Sequence, residues 1–496
     1  MNYSLYIDGK FLETSSKQNV INPATLEPIA QVSIAGAKEV ELAIDAARRA
    51  YDCGPWKELP LEERKKYISK ISEGILEKAG ELAQLESDNS GKPLKESTFM
   101  DIPSSAQTFE YFANNLERFL APEALTIQSQ LGCVQASLTR EPRGVTVLIV
   151  PWNYPLLIAS WKMAQSLAAG NTVILKPSSV TPLTALELAK IVDNAGLPPG
   201  VVNVITASGD AVGELLCSDK RVDMISFTGS NAVGKKILEY TSSCVKKTTM
   251  ELGGKSAGIV LPDADLELAV NGLLCSIFLN QGQMCTAMSR IFVHADIFDA
   301  FVDDFVQKTK RIKLGASADF EAQMGPLISE SHRQKVIGFV EKAKKEGAKL
   351  LCGGKVPGDP ALKNGFFFEP AVFIDVTPEM GIFQEEVFGP VVCIARFSSI
   401  DEAIALANNS SFGLAASVWT KNSQTARDIT QRLDAGTVWI NTYGMFFNEL
   451  PYGGFKQSGF GKELGKEGFL EYTRLKNALI DTTAESKPLV NYWYGF

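Results

Sequence analysis

Residues 144–177 read GVTVLIVPWNYPLLIASWKMAQSLAAGNTVILKP. A β-branched run, VTVLIV, gives way to a Pro-rich turn, then to a helical stretch through residue 168, then to a second β-branched run. Strand, helix and strand in that order are the signature of a βαβ unit in a parallel sheet. The uncharged residues 144–161 reach membrane-spanning length, but Pro151, Asn153 and Pro155 interrupt them at the centre. A buried strand, a turn and a helix start follow, and no membrane span is expected.

The alternation continues downstream. Thr181 and Pro182 read as the N-cap and first residue of a helix that closes at Gly196, followed by VVNVITA, another helix and DMISFTG. Residues 144–252 should therefore form a doubly wound, nucleotide-type domain. Upstream, YIDGKF and the turn NPAT precede amphipathic helices over 37–52 and 62–87. Beyond 252 a second α/β series (SAGIVL, SRIFVH, AVFIDV, PVVCIARF and TVWIN with intervening helices) lacks a glycine-rich phosphate loop, which suits a catalytic or substrate domain.

The chain has 496 residues, 45% apolar and 21% charged, the composition of an ordinary globular protein with two or three domains. Its net charge of −8 repels polyphosphate, so nucleic acid is not an expected partner. The two histidines, His294 and His332, are far apart, and neither a His triad nor metal-ligand spacing is found. Eight cysteines without a C-x-x-C pair, and an amino terminus without a basic-then-apolar leader, predict reduced thiols and a cytoplasmic protein.

Gly229-Ser-Asn-Ala-Val-Gly234-Lys235 follows a P-loop until Lys236 replaces the Ser or Thr that would reach magnesium. What remains is a strand, a tight turn and a helix start, which serves either as plain structure or as a pyrophosphate seat. Cys285 lies among small and polar residues in NQGQMCTAMSR, Glu251 beside a Gly-Gly turn in MELGGK, and Asn153 in otherwise apolar PWNYP. A thiol nucleophile, a carboxylate to activate water and an amide to hold an oxyanion are the parts of covalent acyl chemistry without histidine.

With PWNYP (151–155), KPS (176–178), FTGS (227–230), MELGGK (250–255), GQMC (282–285), EEVFGP (385–390) and PYGGFKQSGFG (451–461), the chain resembles the NAD(P)-dependent, non-acylating aldehyde dehydrogenases from end to end. The resemblance implies a Rossmann-type cofactor domain, an α/β catalytic domain and a small β oligomerisation element. It implies that Cys285 attacks an aldehyde, that Asn153 and the Cys285 backbone amide hold the oxyanion, and that Glu251 activates the water that hydrolyses the thioester. Lys162 and Glu463 match positions used for proton transfer in some members, or are plain structural charges. For NAD or NADP it implies Lys176 at the adenosine ribose, Gly229 and Ser230 at the pyrophosphate, Trp152 beside the pocket, and Glu386 with Phe388 at the nicotinamide ribose. Ser179 stands where strict NAD users often carry Glu, so NADP should be accepted as well.

For the substrate, Tyr154, Trp161 and Tyr452 match three aromatics of the betaine aldehyde branch, Leu279 replaces a fourth, and Glu449 hints at a cationic group. A cationic aldehyde and a broader apolar or aromatic aldehyde are both open at this point. The expected division is a cofactor domain over 1–121 and 143–252, a catalytic domain over 253–449, and an oligomerisation element from a hairpin at 122–142 with residues 450–496. The terminal VNYWYGF favours burial against a second copy, hence a homodimer or homotetramer. An inactive binding relative would normally have lost Cys285, Glu251 or Asn153, and all three are present.

Overall fold

The computed structural model describes residues 1–129, 132–482 and 493–495. Among these, the strands form an eight-stranded sheet, a seven-stranded sheet and three smaller ones. In the first, Lys247–Glu251, Met224–Thr228, Val145–Ile149, Thr172–Lys176 and Val202–Val204 lie side by side and parallel. The chain steps outward from Val145–Ile149 to Val202–Val204, then crosses back to lay Met224–Thr228 on the other side of Val145–Ile149. This is the doubly wound arrangement, and it opens a crevice at the carboxyl ends of Val145–Ile149 and Met224–Thr228, where the winding reverses.

The helix Pro155–Ala169 fills the space between strand and crevice. Proline starts it, Gly170 ends it at φ +94°, and it is buried almost all round, which is why its sequence is uniformly apolar or small apart from Lys162 and Gln165. The next helix runs Leu183–Ala195 and closes on Gly196 at φ +78°. Thr181 does not cap it as expected: its hydroxyl donates to the Trp152 carbonyl at 3.1 Å and ties the helix start to the PWNYP turn. The expected helix 62–87 is two, Leu61–Glu77 and Ala79–Ser90, broken at Lys78 just before Gly80. Periodicity does not register a one-residue break, and glycine is the weakest helix former nearby short of proline.

The seven-stranded sheet orders Lys349–Cys352, Ala371–Ile374, Val391–Phe397, Arg290–His294, Ala257–Val260, Ala415–Trp419 and Thr437–Ile440, all parallel except the first. A separate antiparallel sheet joins Glu123–Ser129, Gly132–Pro142 and Thr473–Asp481. The segment 450–472 does not go with it. Gly459–Phe460 extends the eight-stranded sheet beside Met250–Glu251, and Phe455–Lys456 pairs with Phe412–Gly413, so the tail reaches the small sheet only from Thr473. Of the aromatic terminus, Trp493 and Tyr494 are exposed and the rest of the aromatics lie outside the described residues. No described helix is long and apolar enough to cross a membrane.

Candidate active site

Two cavities, of about 200 and 210 Å³, meet at Cys285, the only cysteine on the described wall of either. The first lies against the helix Pro155–Ala169 and is lined by Tyr154, Trp161, Glu251, Phe446 and Tyr452, among others. The second is the crevice of the doubly wound sheet, lined by Pro151–Asn153 after one central strand and Thr228–Ser230 after the other.

Cys285 follows a tight turn, Leu279–Gly282, that ends the helix Leu266–Phe278. Its sulfur lies 3.2 Å from the Tyr452 hydroxyl. Burial pushes the thiol up to about 12, and the Tyr452 hydrogen bond opposes the rise. Asn153 is buried and donates from Nδ2 to the Gln283 carbonyl at 2.8 Å, which aims its amide along the segment leading to Cys285.

Glu251 ends its strand buried, with no hydrogen-bond partner for either carboxylate oxygen among the described residues. Burial raises its pKa well above the usual range, the nearby Glu463 adds to the rise, and Lys162 opposes it. Gly453, at φ +155°, leaves it room: a Cβ there would sit 2.7 Å from Oε1. Behind it, Lys162 pairs with Glu463 and donates to Ser226 Oγ at 2.8 Å, while Gln165 Nε2 donates to the other Glu463 oxygen at 3.0 Å. The structure thus brings Cys285, Glu251 and Glu463 onto one cavity wall, with Lys162 directly behind.

In the second cavity, Trp152 stands edge-on to Phe388 at 5.3 Å and to His332 at 5.4 Å. His332 donates from Nε2 to the Phe388 carbonyl at 2.7 Å, and burial lowers its pKa to about 4, so the ring is neutral. The sequence assigns His332 no site role and does not single out Lys335, also on this wall, since a helix face 47 residues beyond the nucleophile gives no local signal. Glu386 accepts from the Gly254 amide at 2.8 Å and is pushed up to about 7 by burial. Ser230 caps the helix Asn231–Ser242, and Gly229 is required because a Cβ would meet the Phe227 ring at 2.5 Å.

Lys176 ends the neighbouring strand and Ser179 follows it, both off the described lining of this cavity. Lys176 is buried and, among the described residues, bonds only the Pro177 carbonyl at 3.4 Å; burial lowers it to about 8. An under-partnered buried amine, a helix N-terminus at a glycine turn, and a carboxylate across the crevice fit the hydroxyls and phosphates of a dinucleotide.

On the substrate side, Trp161 and Tyr452 stand edge-on at 5.5 Å, and Phe446, not read from the sequence, closes against Tyr452 at 5.5 Å and Trp161 at 6.0 Å. Two expected residues are not brought here. Leu279 lines a separate surface groove, because the helix Leu266–Phe278 ends before it and the chain turns away, and Glu449 is exposed on a turn outside the lining.

A thiol shared by an aromatic pocket and a dinucleotide crevice, with a carboxylate on the pocket wall, defines a nicotinamide-dependent oxidoreductase that works through cysteine. The chain belongs to the aldehyde dehydrogenase family, whose model matches residues 11–478. It is 46% identical to a betaine aldehyde dehydrogenase of Bacillus subtilis over 497 aligned positions, covering 100% of both chains. An aminoaldehyde dehydrogenase of Malus domestica is 42% identical, with 95% of this chain and 94% of that one covered. The crystal structure of Staphylococcus aureus betaine aldehyde dehydrogenase in complex with NAD+ superposes with a TM-score of 0.95 at 41% identity, covering 99% of this chain and 96% of that one.

Proposed function

We propose that the chain oxidises a cationic aldehyde, carrying an amino or trimethylammonio group, to its carboxylic acid with NAD+ or NADP+. The observation that carries the reading is the position of Cys285 on the wall common to the aromatic pocket and the crevice. Cys285 adds through sulfur to the aldehyde carbon, and the oxyanion is held by the Asn153 amide and the Cys285 backbone N–H. A nicotinamide in the crevice supplies the hydride acceptor, with Glu386 and Phe388 at its ribose, Trp152 beside it, Gly229 and Ser230 at the pyrophosphate, and Lys176 at the adenosine ribose. Glu251 then removes a proton from the water that cleaves the thioester at Cys285, and Lys162 with Glu463 carries that proton away.

The cationic substrate is supported by Tyr154, Trp161, Phe446 and Tyr452, whose ring faces suit a desolvated ammonium, and by the relatives named above. Comparing betaine aldehyde, 4-aminobutyraldehyde, hexanal and benzaldehyde for nicotinamide reduction without CoA tests this. The cationic pair should give the higher kcat/KM; preference for the neutral pair assigns the same rings to an apolar tunnel and a broad-specificity enzyme.

We further propose that residues 1–121 with 143–252 form the cofactor domain, that 253–449 form the catalytic domain, and that the small sheet is the homo-oligomer contact. Exposed Leu125, Ile127, Leu475, Leu479 and Ile480 on that sheet support the last point. Light scattering at micromolar concentration should give a dimer or tetramer. The eight cysteines without a C-x-x-C spacing suit a reducing compartment such as the cytoplasm.

A further inference from the structure

The residues just before Cys285 occupy conformations that side chains rarely adopt. Asn280 has φ +47° and Gln281 φ +59°, followed by Gly282 at +69°. Left-handed backbone at two consecutive non-glycine residues persists only where surrounding contacts hold it. One such contact comes from a distant segment. The backbone N–H of Asn280 donates to both carboxylate oxygens of Glu96, at 3.3 and 3.1 Å, across 184 residues, and both side chains are buried.

The Asn280 side chain, set by that backbone, reaches the catalytic wall. Its Nδ2 donates to the Asn153 carbonyl at 3.0 Å and to the Gln283 carbonyl at 3.3 Å. The Gln283 carbonyl is the same group that receives the Asn153 amide at 2.8 Å. Glu96, Asn280, Gln283 and Asn153 therefore form one buried chain of hydrogen bonds ending two residues from Cys285.

We infer that Glu96 is a positioning residue for the oxidation: it holds Asn280 in the left-handed conformation, and Asn280 in turn fixes the Asn153 amide relative to Cys285. The inference rests on the roles given to Asn153 and Cys285 above. Glu96 lies off the described lining of both cavities that meet at Cys285. Its neighbours Lys92, Asp101 and Glu86 form the rest of a buried charged cluster, in which Lys92 pairs with Asp101 and lies 4.0 Å over the Tyr154 ring. A structural role for that cluster in folding would not by itself single out the oxyanion.

Three variants separate the possibilities. Glu96→Ala removes the acceptor, Glu96→Gln keeps a carbonyl oxygen for the Asn280 N–H, and Asn280→Gly keeps the left-handed angle while deleting the Nδ2 bonds. Each is assayed for kcat, for KM of the aldehyde, and for NAD+ affinity by tryptophan fluorescence. Misplacing one oxyanion donor lowers rate by about 10- to 100-fold, so Glu96→Ala and Asn280→Gly should lose that much kcat, with KM and NAD+ affinity within about twofold. Glu96→Gln should recover most of the lost rate. Full kcat in Asn280→Gly, equal loss in Glu96→Gln and Glu96→Ala, or a parallel fall in NAD+ affinity would each overturn the inference. A Cys285→Ala control keeps the two readings apart. If it still turns over, the nucleophile assignment is wrong; if it is dead while Glu96→Ala runs at full rate, only the positioning role fails.

Discussion

The sulfur of Cys285 and the hydroxyl of Tyr452 lie 3.2 Å apart in a pocket otherwise walled largely by apolar groups. Burial raises both groups' pKa values, the tyrosine's far enough that its phenol stays protonated and acts as donor. The thiolate needed for attack is thus opposed by desolvation and helped by one side-chain hydrogen bond.

Tyr452→Phe removes that help and should move the pH dependence of thiol alkylation upward. A hydrogen bond to a charged group contributes about 1.5 to 3 kcal/mol, or roughly one to two pH units in the thiol. The sign follows from Tyr452 donating to the charged form, so its loss raises the pKa further. Alkylation of Cys285 by iodoacetamide at neutral pH should slow about tenfold or more and recover at high pH. An unchanged profile would show that another group supports the thiolate.

Glu251→Gln should separate the two halves of the reaction. Removing a general base costs about 10²- to 10⁴-fold in its own step, so reduced nicotinamide should form in a burst of one equivalent per active site and then stall. In the wild type, burial raises the Glu251 pKa, so the base form is gained as pH rises and the steady-state rate should climb with it. In Glu251→Gln that climb should flatten. A missing burst would place the carboxylate before hydride transfer instead of after it.

Lys162 and Glu463 are both buried and paired, and each also bonds a neutral partner, Ser226 for the lysine and Gln165 for the glutamate. Lys162→Met leaves a buried carboxylate without its cation, which costs about 3 to 5 kcal/mol. The double variant Lys162→Met with Glu463→Leu removes both charges and should regain much of that stability while still lacking the proton route. Urea unfolding followed by tryptophan fluorescence distinguishes the two variants. Equal destabilisation would mean that packing volume, and not the unpaired charge, dominates.

The pattern of β-branched runs and glycine stops predicts the doubly wound sheet because its central parallel strands are buried on both faces and the two helices between them end on glycines free to turn left-handed, Gly170 and Gly196. Cys285, Glu251 and Asn153 are legible from their contexts: a thiol among small and polar residues, a carboxylate beside a Gly-Gly turn, and an amide in an otherwise apolar turn. Phe446 and His332 are not legible. They reach the cavities only because the two sheets close on each other, and an aromatic or a histidine at a given position carries no local mark of which wall it will face. Glu449 shows the converse, a charge that suggests a cation site in the sequence and lies exposed in the fold. The Asn280–Gln281 turn is likewise invisible, since left-handed angles at non-glycine residues are imposed by partners such as Glu96 that are far away in sequence.

On the cofactor placement proposed above, the nucleotide preference should turn on Ser179, whose carbonyl accepts from Gln18 Nε2 at 3.0 Å just beyond the strand that ends in Lys176. A 2′-phosphate near this loop meets a neutral side chain, and the Lys176 amine is close in sequence. NADP+ should therefore support turnover with kcat/KM comparable to NAD+. Ser179→Glu introduces a carboxylate, and like charges about 4 Å apart repel by about 1 to 4 kcal/mol over the range from water to a protein surface. The variant should lose about tenfold or more in kcat/KM with NADP+ and little with NAD+. The repulsion is also screened, so raising the salt concentration should recover part of the NADP+ activity in Ser179→Glu and leave the wild type unchanged. Wild-type turnover with NADP+ below detection would mean that groups other than Ser179 exclude the 2′-phosphate.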